Sequence, residues 1–157
     1  MTRSFPEIGA AARTPNPALQ AFEGFVGRWD CKGSHGQLPG LTLRGHASFE
    51  WAENGAFLVL RTELDDARFP AGITIFGSDD VQLRFSALYF DQRGVSRLLQ
   101  VTLDGNVLAW WRDQPGFSQR CTSTLSRDGR TIVSEGELSR DGTTWQKDLE
   151  LTLTRRE

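Results

Sequence analysis

The chain has 157 residues, of which 38% are hydrophobic and 24% charged, and its formal net charge is −2. This length and composition fit one domain with a single hydrophobic core. The small net charge gives no electrostatic reason to expect a nucleic-acid partner or an anionic membrane surface, so neither is predicted.

The number of cysteines and the lack of long apolar stretches indicate in which cellular compartment the protein is expected. Cys31 and Cys121 are the only cysteines, too few for a disulfide framework or a zinc site. Residues 1–17 hold no apolar stretch of signal-peptide length, and no segment approaches the roughly 18 apolar residues of a membrane span. A cytoplasmic protein with free thiols, no bound metal and no membrane partner is therefore expected. Whether the two cysteines meet is left open.

The N-terminal part divides into an arm and a helix. Residues 1–16 contain few large apolar residues and are predicted to form a flexible arm. Asn16 and Pro17 mark a helix start, because Asn can accept hydrogen bonds from the first free amides and Pro fits the first helical position. Apolar residues then recur at helical spacing, which predicts a short helix over 17–25 that caps one end of the fold.

Beyond Trp29 the chain alternates between apolar and polar residues and is interrupted by tight turns. Residues 41–51 keep a strict period of two, and dipeptides such as Asp104-Gly105 are typical of hairpins. Strands are predicted at 29–34, 41–51, 56–64, 73–76, 83–90, 95–103, 106–112, 117–125, 131–138 and 143–154. This pattern predicts an all-β fold, a single up-and-down antiparallel β-barrel of about ten strands over residues 17–157. A Greek-key sandwich would need longer crossovers, for which only loops at 35–40 and 113–116 are candidates.

The helix followed by Gly27-Arg28-Trp29 resembles the Gly-X-Trp signature of lipocalin-like (calycin) barrels. With the Asp-Gly hairpins and a final strand ending in Thr154-Arg155, the chain resembles, over about residues 17–156, uncharacterised bacterial lipocalin-like proteins distantly related to nitrobindin-type haem-binding barrels. The resemblance implies that Trp29 lies across the closed end with Arg155 or Arg156 over its ring. It also implies one ligand cavity, but no particular ligand.

Haem is disfavoured as a cofactor. Nitrobindin-type barrels ligate iron with a histidine in the last strand, and the matching segment here, Trp145 to Leu149, has none. The two histidines are His35 and His46, both in the first third of the chain. No cofactor is therefore expected, unless His35 reaches inward from another wall.

Alternate residues of a strand point to the same face, so residues that alternate with apolar ones are predicted to face inward and to line or orient a ligand. His35 shares parity with Trp29 and faces inward near the open mouth, although an exposed loop histidine is the alternative. Lys147 shares parity with Leu149, so it could pair with a ligand carboxylate or else extend into water at the rim. The opposite face of that strand, which carries Asp148, is expected to be solvated.

Three further strands supply candidates. Gln119 alternates with Phe117 and Cys121, and an inward amide would need polar partners. Of the adjacent Trp110 and Trp111 one faces inward, and the pattern leaves open which. Trp111 is nominated to line the cavity, with Arg112 reaching a ligand anion; core packing and a surface arginine stacked on an indole are the alternative. The full set of predicted ligand-binding residues is His35, Tyr89, Arg97, Trp111, Gln119 and Lys147.

The favoured function is binding of a small, largely apolar molecule inside the barrel. The sequence lacks nucleophile-elbow, Walker, zinc-protease and Cys-X-X-Cys motifs, so no catalytic residue is nominated and an enzyme is the less favoured reading. Two alternatives remain. One is an isomerase-like enzyme using His35 or Tyr89, and the other is a homodimeric interaction domain that pairs through an outward tryptophan.

Overall fold

A computed structural model describes residues 14–79 and 84–157. Within these ranges ten antiparallel strands close into a barrel in which each strand pairs with its sequence neighbours and the first pairs with the last. The predicted all-β, up-and-down barrel is confirmed, and the absence of crossovers rules out the sandwich. The elements are a 3₁₀ helix Pro17–Phe25, β1 Gly27–His35, β2 Leu38–Ala52, a 3₁₀ turn Glu53–Gly55, β3 Phe57–Leu64, β4 Gly72–Asp79, β5 Arg84–Asp91, β6 Ser96–Asp104, β7 Val107–Arg112, β8 Ser118–Leu125, β9 Thr131–Ser139 and β10 Gln146–Arg155.

Most element boundaries lie within two residues of the sequence prediction, and three differ by more. The loop expected at 35–40 is a short turn, because β2 begins at Leu38, and β4 spans Gly72–Asp79 instead of 73–76. The last strand begins at Gln146 instead of 143. The Asp141 carboxylate accepts hydrogen bonds from the amides of Thr143 and Thr144, at 2.8 and 2.7 Å, which holds those residues in the turn.

The 3₁₀ helix closes one end of the barrel, as the sequence predicts. The Asn16 side chain accepts a hydrogen bond from the Ala18 amide at 3.1 Å and so caps the helix start. The helix turns Leu19, Phe22 and Phe25 inward, where each is at most 1% exposed. The Phe22 ring lies 5.4 Å from that of Phe76, centre to centre, and thereby joins helix to wall.

Trp29 and Arg155 form the floor of the closed end. Trp29 is fully buried and donates its indole N–H to the Phe25 carbonyl at 3.0 Å. The Arg155 guanidinium carbon lies 4.2 Å from the centre of the indole ring, so the expected cation–π contact is present. Gly27 has a φ of 141°, and a Cβ there would collide with the Arg155 guanidinium. The Gly-X-Trp spacing therefore leaves the space that this arginine fills.

Residues 1–13 of the predicted arm, and the chain between β4 and β5 at 80–83, lie outside the described residues. At the arm's end, Asn16 is fixed by hydrogen bonds to the Gly55 carbonyl and the Ser78 hydroxyl, both at 2.9 Å. Across 14–79 and 84–157, no helix has the length and apolar character needed to cross a membrane.

Candidate functional site

Four strands bring inward-facing polar side chains to the end of the barrel opposite the helix. His35 ends β1, Arg97 lies at the start of β6, Gln119 at the start of β8, and Asp148 near the start of β10. In an up-and-down barrel these strand ends share one rim. We call these four residues the mouth chain.

The mouth chain is connected by short hydrogen bonds. The two carboxylate oxygens of Asp148 lie 2.7 Å from His35 Nε2 and 2.8 Å from Gln119 Nε2, which both donate to it. The Gln119 carbonyl oxygen in turn accepts from Arg97 Nη1 at 2.9 Å. His35 Nδ1 accepts the Gln37 amide proton at 3.1 Å, so Nε2 is the ring nitrogen that carries the proton given to Asp148. Each polar group therefore has a partner fixed within the wall.

A β-bulge in β10 turns Asp148 into the barrel. The β9–β10 register shifts between Lys147 and Glu150, so alternation is interrupted there. Leu149 still packs against the core, while Asp148 beside it points to the mouth chain with only 13% of its side chain exposed. Lys147 consequently faces outward, 75% exposed, with its amine 3.4 Å from Glu150. The predicted inward orientation of Lys147 and the predicted solvation of Asp148 are both wrong.

The tryptophan that faces inward is Trp110. It pairs with the buried Val101 of β6 and with Cys121 of β8, and it packs against the core. Trp111 stands opposite Arg120 on the outer surface, so its predicted inward orientation is wrong. The sequence allows one inward tryptophan in this pair, and the register with β6 selects Trp110.

Tyr89 and Asp91 form a second polar group on the mouth end of β5. The Tyr89 hydroxyl donates to Asp91 at 2.8 Å, and Arg93 bonds the same carboxylate oxygen at 2.7 Å. The hydrogen bonds from Arg93 and Tyr89 hold the pKa of Asp91 well below its usual value, although burial opposes them. Burial, and then the bond to Asp91, raise the pKa of Tyr89 to about 12, so its phenol stays protonated at neutral pH.

Apolar side chains lie below this polar rim. Leu99, Trp110 and Leu149 face inward but are only half-buried, whereas Trp29 and Leu58 toward the closed end are fully buried. All three pack against the buried core, in the half of the barrel nearer the mouth. The arrangement is an incompletely buried apolar layer next to a fixed polar rim.

Both thiols are free and are held in the protonated form. Burial, with a further contribution from Asp30, raises the pKa of Cys31 to about 11, and burial also raises the pKa of Cys121. The Cys121 sulfur lies 3.4 Å from the Ser134 hydroxyl. Neither thiol is therefore an activated nucleophile.

A separate groove lies on the outside of the wall. It has a volume of about 450 Å³ and is lined chiefly by side chains of β2 to β5, among them Ser48, Arg61, Ile73 and Phe90. His46 also lines it, 56% exposed and 3.6 Å from Glu63, so this histidine faces water as predicted.

His35 is the histidine whose surroundings bear on haem ligation. His35 does reach inward, but both of its ring nitrogens are engaged, one by Asp148 and the other by the Gln37 amide. An iron ligand needs a free nitrogen lone pair, and the lone pair of Nδ1 accepts that amide proton. Iron ligation by His35 would require the turn after β1 to break this bond.

The similarity of this chain to known proteins extends to its fold and identifies no family. No protein-family model and no curated protein matches the chain. A solved structure does resemble it, the crystal structure of Rv2717c from M. tuberculosis, with a TM-score of 0.64 and 14% sequence identity over 90% of this chain and 98% of that one. At this identity the similarity shows a shared barrel fold.

Sequence reasoning missed Asp148, Asp91 and Trp110. A usable signal for Asp148 was barrel closure itself, because β1 pairs with β10 and sets His35 opposite Leu149. A carboxylate beside that position is an evident partner for an inward imidazole.

Proposed function

We propose that this protein binds a small, largely apolar molecule, which enters at the open end of the barrel and is oriented by the mouth chain. The observation that carries the proposal is the polar rim of His35, Arg97, Gln119 and Asp148 above the half-buried Leu99, Trp110 and Leu149. Ligand sites typically combine apolar walls with a few fixed polar groups in this way.

The rim is pre-organised for binding. Its side chains come from four strands of one closed sheet, and their hydrogen bonds hold them in place without a ligand. A ligand would therefore cost little side-chain ordering on entry. Barrels of comparable strand number hold one small ligand, which supports a single site.

A native mass spectrum of the protein as purified, compared with its denatured mass, is the first test. We expect an extra mass that is retained in the native state and lost on denaturation. The measurement also reports the oligomeric state directly.

A matched pair of tryptophan variants makes the second test. Titration with the neutral fluorescent probe N-phenyl-1-naphthylamine should give saturable binding that Trp110→Ala weakens, because this ring faces the interior. Trp111→Ala removes an equal side chain from the outer face of the same strand and should leave binding unchanged. Absence of probe binding, or equal effects of the two variants, would contradict the proposal.

An isomerase-like enzyme is the second candidate, and the His35–Asp148 pair is the observation in its favour. The two groups converge at the mouth at 2.7 Å, as an acid–base pair requires. Binding is nevertheless the better supported function, because the Gln37 amide occupies His35 Nδ1 and Asp148 occupies Nε2. An enzyme would show turnover that His35→Gln abolishes while ligand affinity persists.

A further inference from the structure

We infer that the ligand of the barrel carries a carboxylate, which Arg97 and Arg112 bind at the rim. The inference rests on the proposed function and names the chemical class of its ligand. It is drawn from two inward arginines whose charge no carboxylate of the described chain balances.

Arg112 faces the interior beside the mouth chain. It lies two residues after the inward Trp110 on β7 and stands directly opposite Gln119 on β8. Directly opposed residues of an antiparallel pair project to the same face, with Cβ atoms about 5 Å apart. Arg112 is half-buried, and in residues 14–79 and 84–157 its guanidinium forms no ion pair with an acidic side chain.

Arg97 reaches the same place from the other side. Its Nη1 donates to the Gln119 side chain at 2.9 Å, and its guanidinium carbon lies 5.8 Å from the centre of the Phe117 ring. Like Arg112, it has no acidic partner in the described part of the chain. Gln119 is neutral, so the hydrogen bond orients the guanidinium of Arg97 without forming an ion pair.

The inward carboxylates near these arginines are already engaged. Asp148 accepts from His35 and Gln119, and Asp91 accepts from Tyr89 and Arg93. Two oriented cations over an apolar interior therefore favour an anion. The planar guanidinium fork matches the two oxygens of a carboxylate, and a singly charged group is repelled less by Asp91 and Asp148 than a dianion would be.

The test compares saturated carboxylic acids of graded chain length with the alcohols of the same length, by displacement of N-phenyl-1-naphthylamine. In the wild type the best acid should bind at least about tenfold more tightly than its alcohol, the effect expected of one charge-assisted hydrogen-bonded contact. Arg112→Gln should abolish this preference and leave the affinity for the alcohol unchanged. Arg97→Gln is the second variant, should Arg112→Gln fail to fold.

Arg120→Gln is the matched control. Arg120 is the residue next to Gln119 on β8, faces outward, and pairs with Glu137 and the Trp145 ring. The variant removes the same charge close by and should keep the preference for acids. Equal binding of acids and alcohols by the wild type, or a preference that survives both inward substitutions, overturns the carboxylate assignment while the barrel remains a binding site. If the probe and all the chain compounds fail to bind, the proposed function falls with it.

Discussion

At the scale of single residues, Asp91 shows how neighbouring side chains keep a carboxylate at the mouth ionised. Its side chain is 0% exposed and is held by Arg93 and Tyr89, which lower its pKa. A carboxylate with a lowered folded-state pKa stabilises the fold above its ordinary pKa of about 3.9, and the stabilisation is lost as the pH falls toward the folded value.

Asp91→Asn should therefore lower the free energy of unfolding at pH 7 by roughly 1–3 kcal/mol, and its deficit should shrink below about pH 4. Urea denaturation at neutral and acidic pH measures this. Asp104→Asn, at the exposed last residue of β6, is the control and should change the free energy of unfolding little at either pH. A deficit for Asp91→Asn that is the same at both pH values would contradict the expectation.

The two thiols lead to a second prediction at this scale. With the pKa of Cys31 raised to about 11 and that of Cys121 also raised, the thiolate population at pH 8 is small in the folded protein. A chromogenic disulfide reagent should label neither thiol on the time scale on which it labels both after denaturation. Rapid labelling of Cys121 in the native state would show that the mouth admits the reagent to its sulfur.

Alternation predicts which residues face inward only where the ladder is regular. Gln119 lies on a regular stretch, and its inward orientation was predictable. His35 keeps the predicted orientation because the β1–β10 ladder is regular up to Leu149, although the β1–β2 register shifts between Gly33 and His35. Lys147 and Asp148 each lie on the face opposite to the predicted one, because a bulge inserts one residue into β10. No residue type in that segment indicates the bulge. The choice between Trp110 and Trp111 depended on pairing with β6, a contact between strands that a single strand's pattern does not contain.

At the scale of elements, the 3₁₀ helix is held by what it buries and not by its own length. It spans nine residues, and isolated helices of this size are marginal in water. Phe22→Ala should lower the free energy of unfolding by about 3–5 kcal/mol, because the ring is fully buried against Phe76 and Phe85. Gln20→Ala, on the exposed side of the helix, should be nearly silent; thermal and urea unfolding compare the two.

Arg155 joins the helix, the residue that follows the helix and the β8–β9 turn, so we expect its loss to weaken the packing among them. Its guanidinium donates to the carbonyls of Gly24, Val26 and Gly129, each at 2.7 Å, while it covers Trp29. Arg155→Met should lower the free energy of unfolding by about 2–4 kcal/mol, since hydrogen bonds from a charged group and a buried cation–π contact are lost. Arg156→Met, whose partner Asp30 is exposed, should cost under about 1 kcal/mol in the same denaturation experiment.

The sequence predicted these elements better than their ends. Helical spacing and the Asn16 cap located the helix, and the Asp-Gly turns located the hairpins. The start of β10 was predicted three residues too early. The Asp141 side chain accepts hydrogen bonds from two backbone amides that would otherwise be free to pair in the sheet, and the alternation of apolar and polar residues does not reveal this.

At the scale of the whole molecule, closure through β1 and β10 is the decisive contact. The pair runs in register from Trp29 opposite Arg155 to His35 opposite Leu149. The Arg156 amide bonds the Arg28 carbonyl, so alternation places Lys32 and Thr152 in a hydrogen-bonded pair of this ladder. Their amide hydrogens should therefore exchange as slowly as those of interior strands such as β8, which hydrogen exchange read by mass spectrometry or NMR can measure. Faster exchange confined to β1 and β10 would indicate a wall that opens at this seam.

The number of strands and the spacing of their turns sufficed to predict a barrel, since a meander of this length leaves edges unless it closes. The ligand could not be predicted in the same way. The site proposed for it combines Arg97, Arg112, Gln119 and Asp148, which come from four strands and converge only when those strands form one rim.

The same seam sets an order of events during synthesis. Every other strand pair joins neighbours along the chain and can form as a local hairpin, whereas β1 must wait for the last strand to leave the ribosome. Until then the growing sheet carries an unpaired edge at β1, the kind of edge on which nascent chains associate with one another. On the outward face of β1, Arg28, Asp30 and Lys32 are exposed and place charges along that edge until β10 pairs with it.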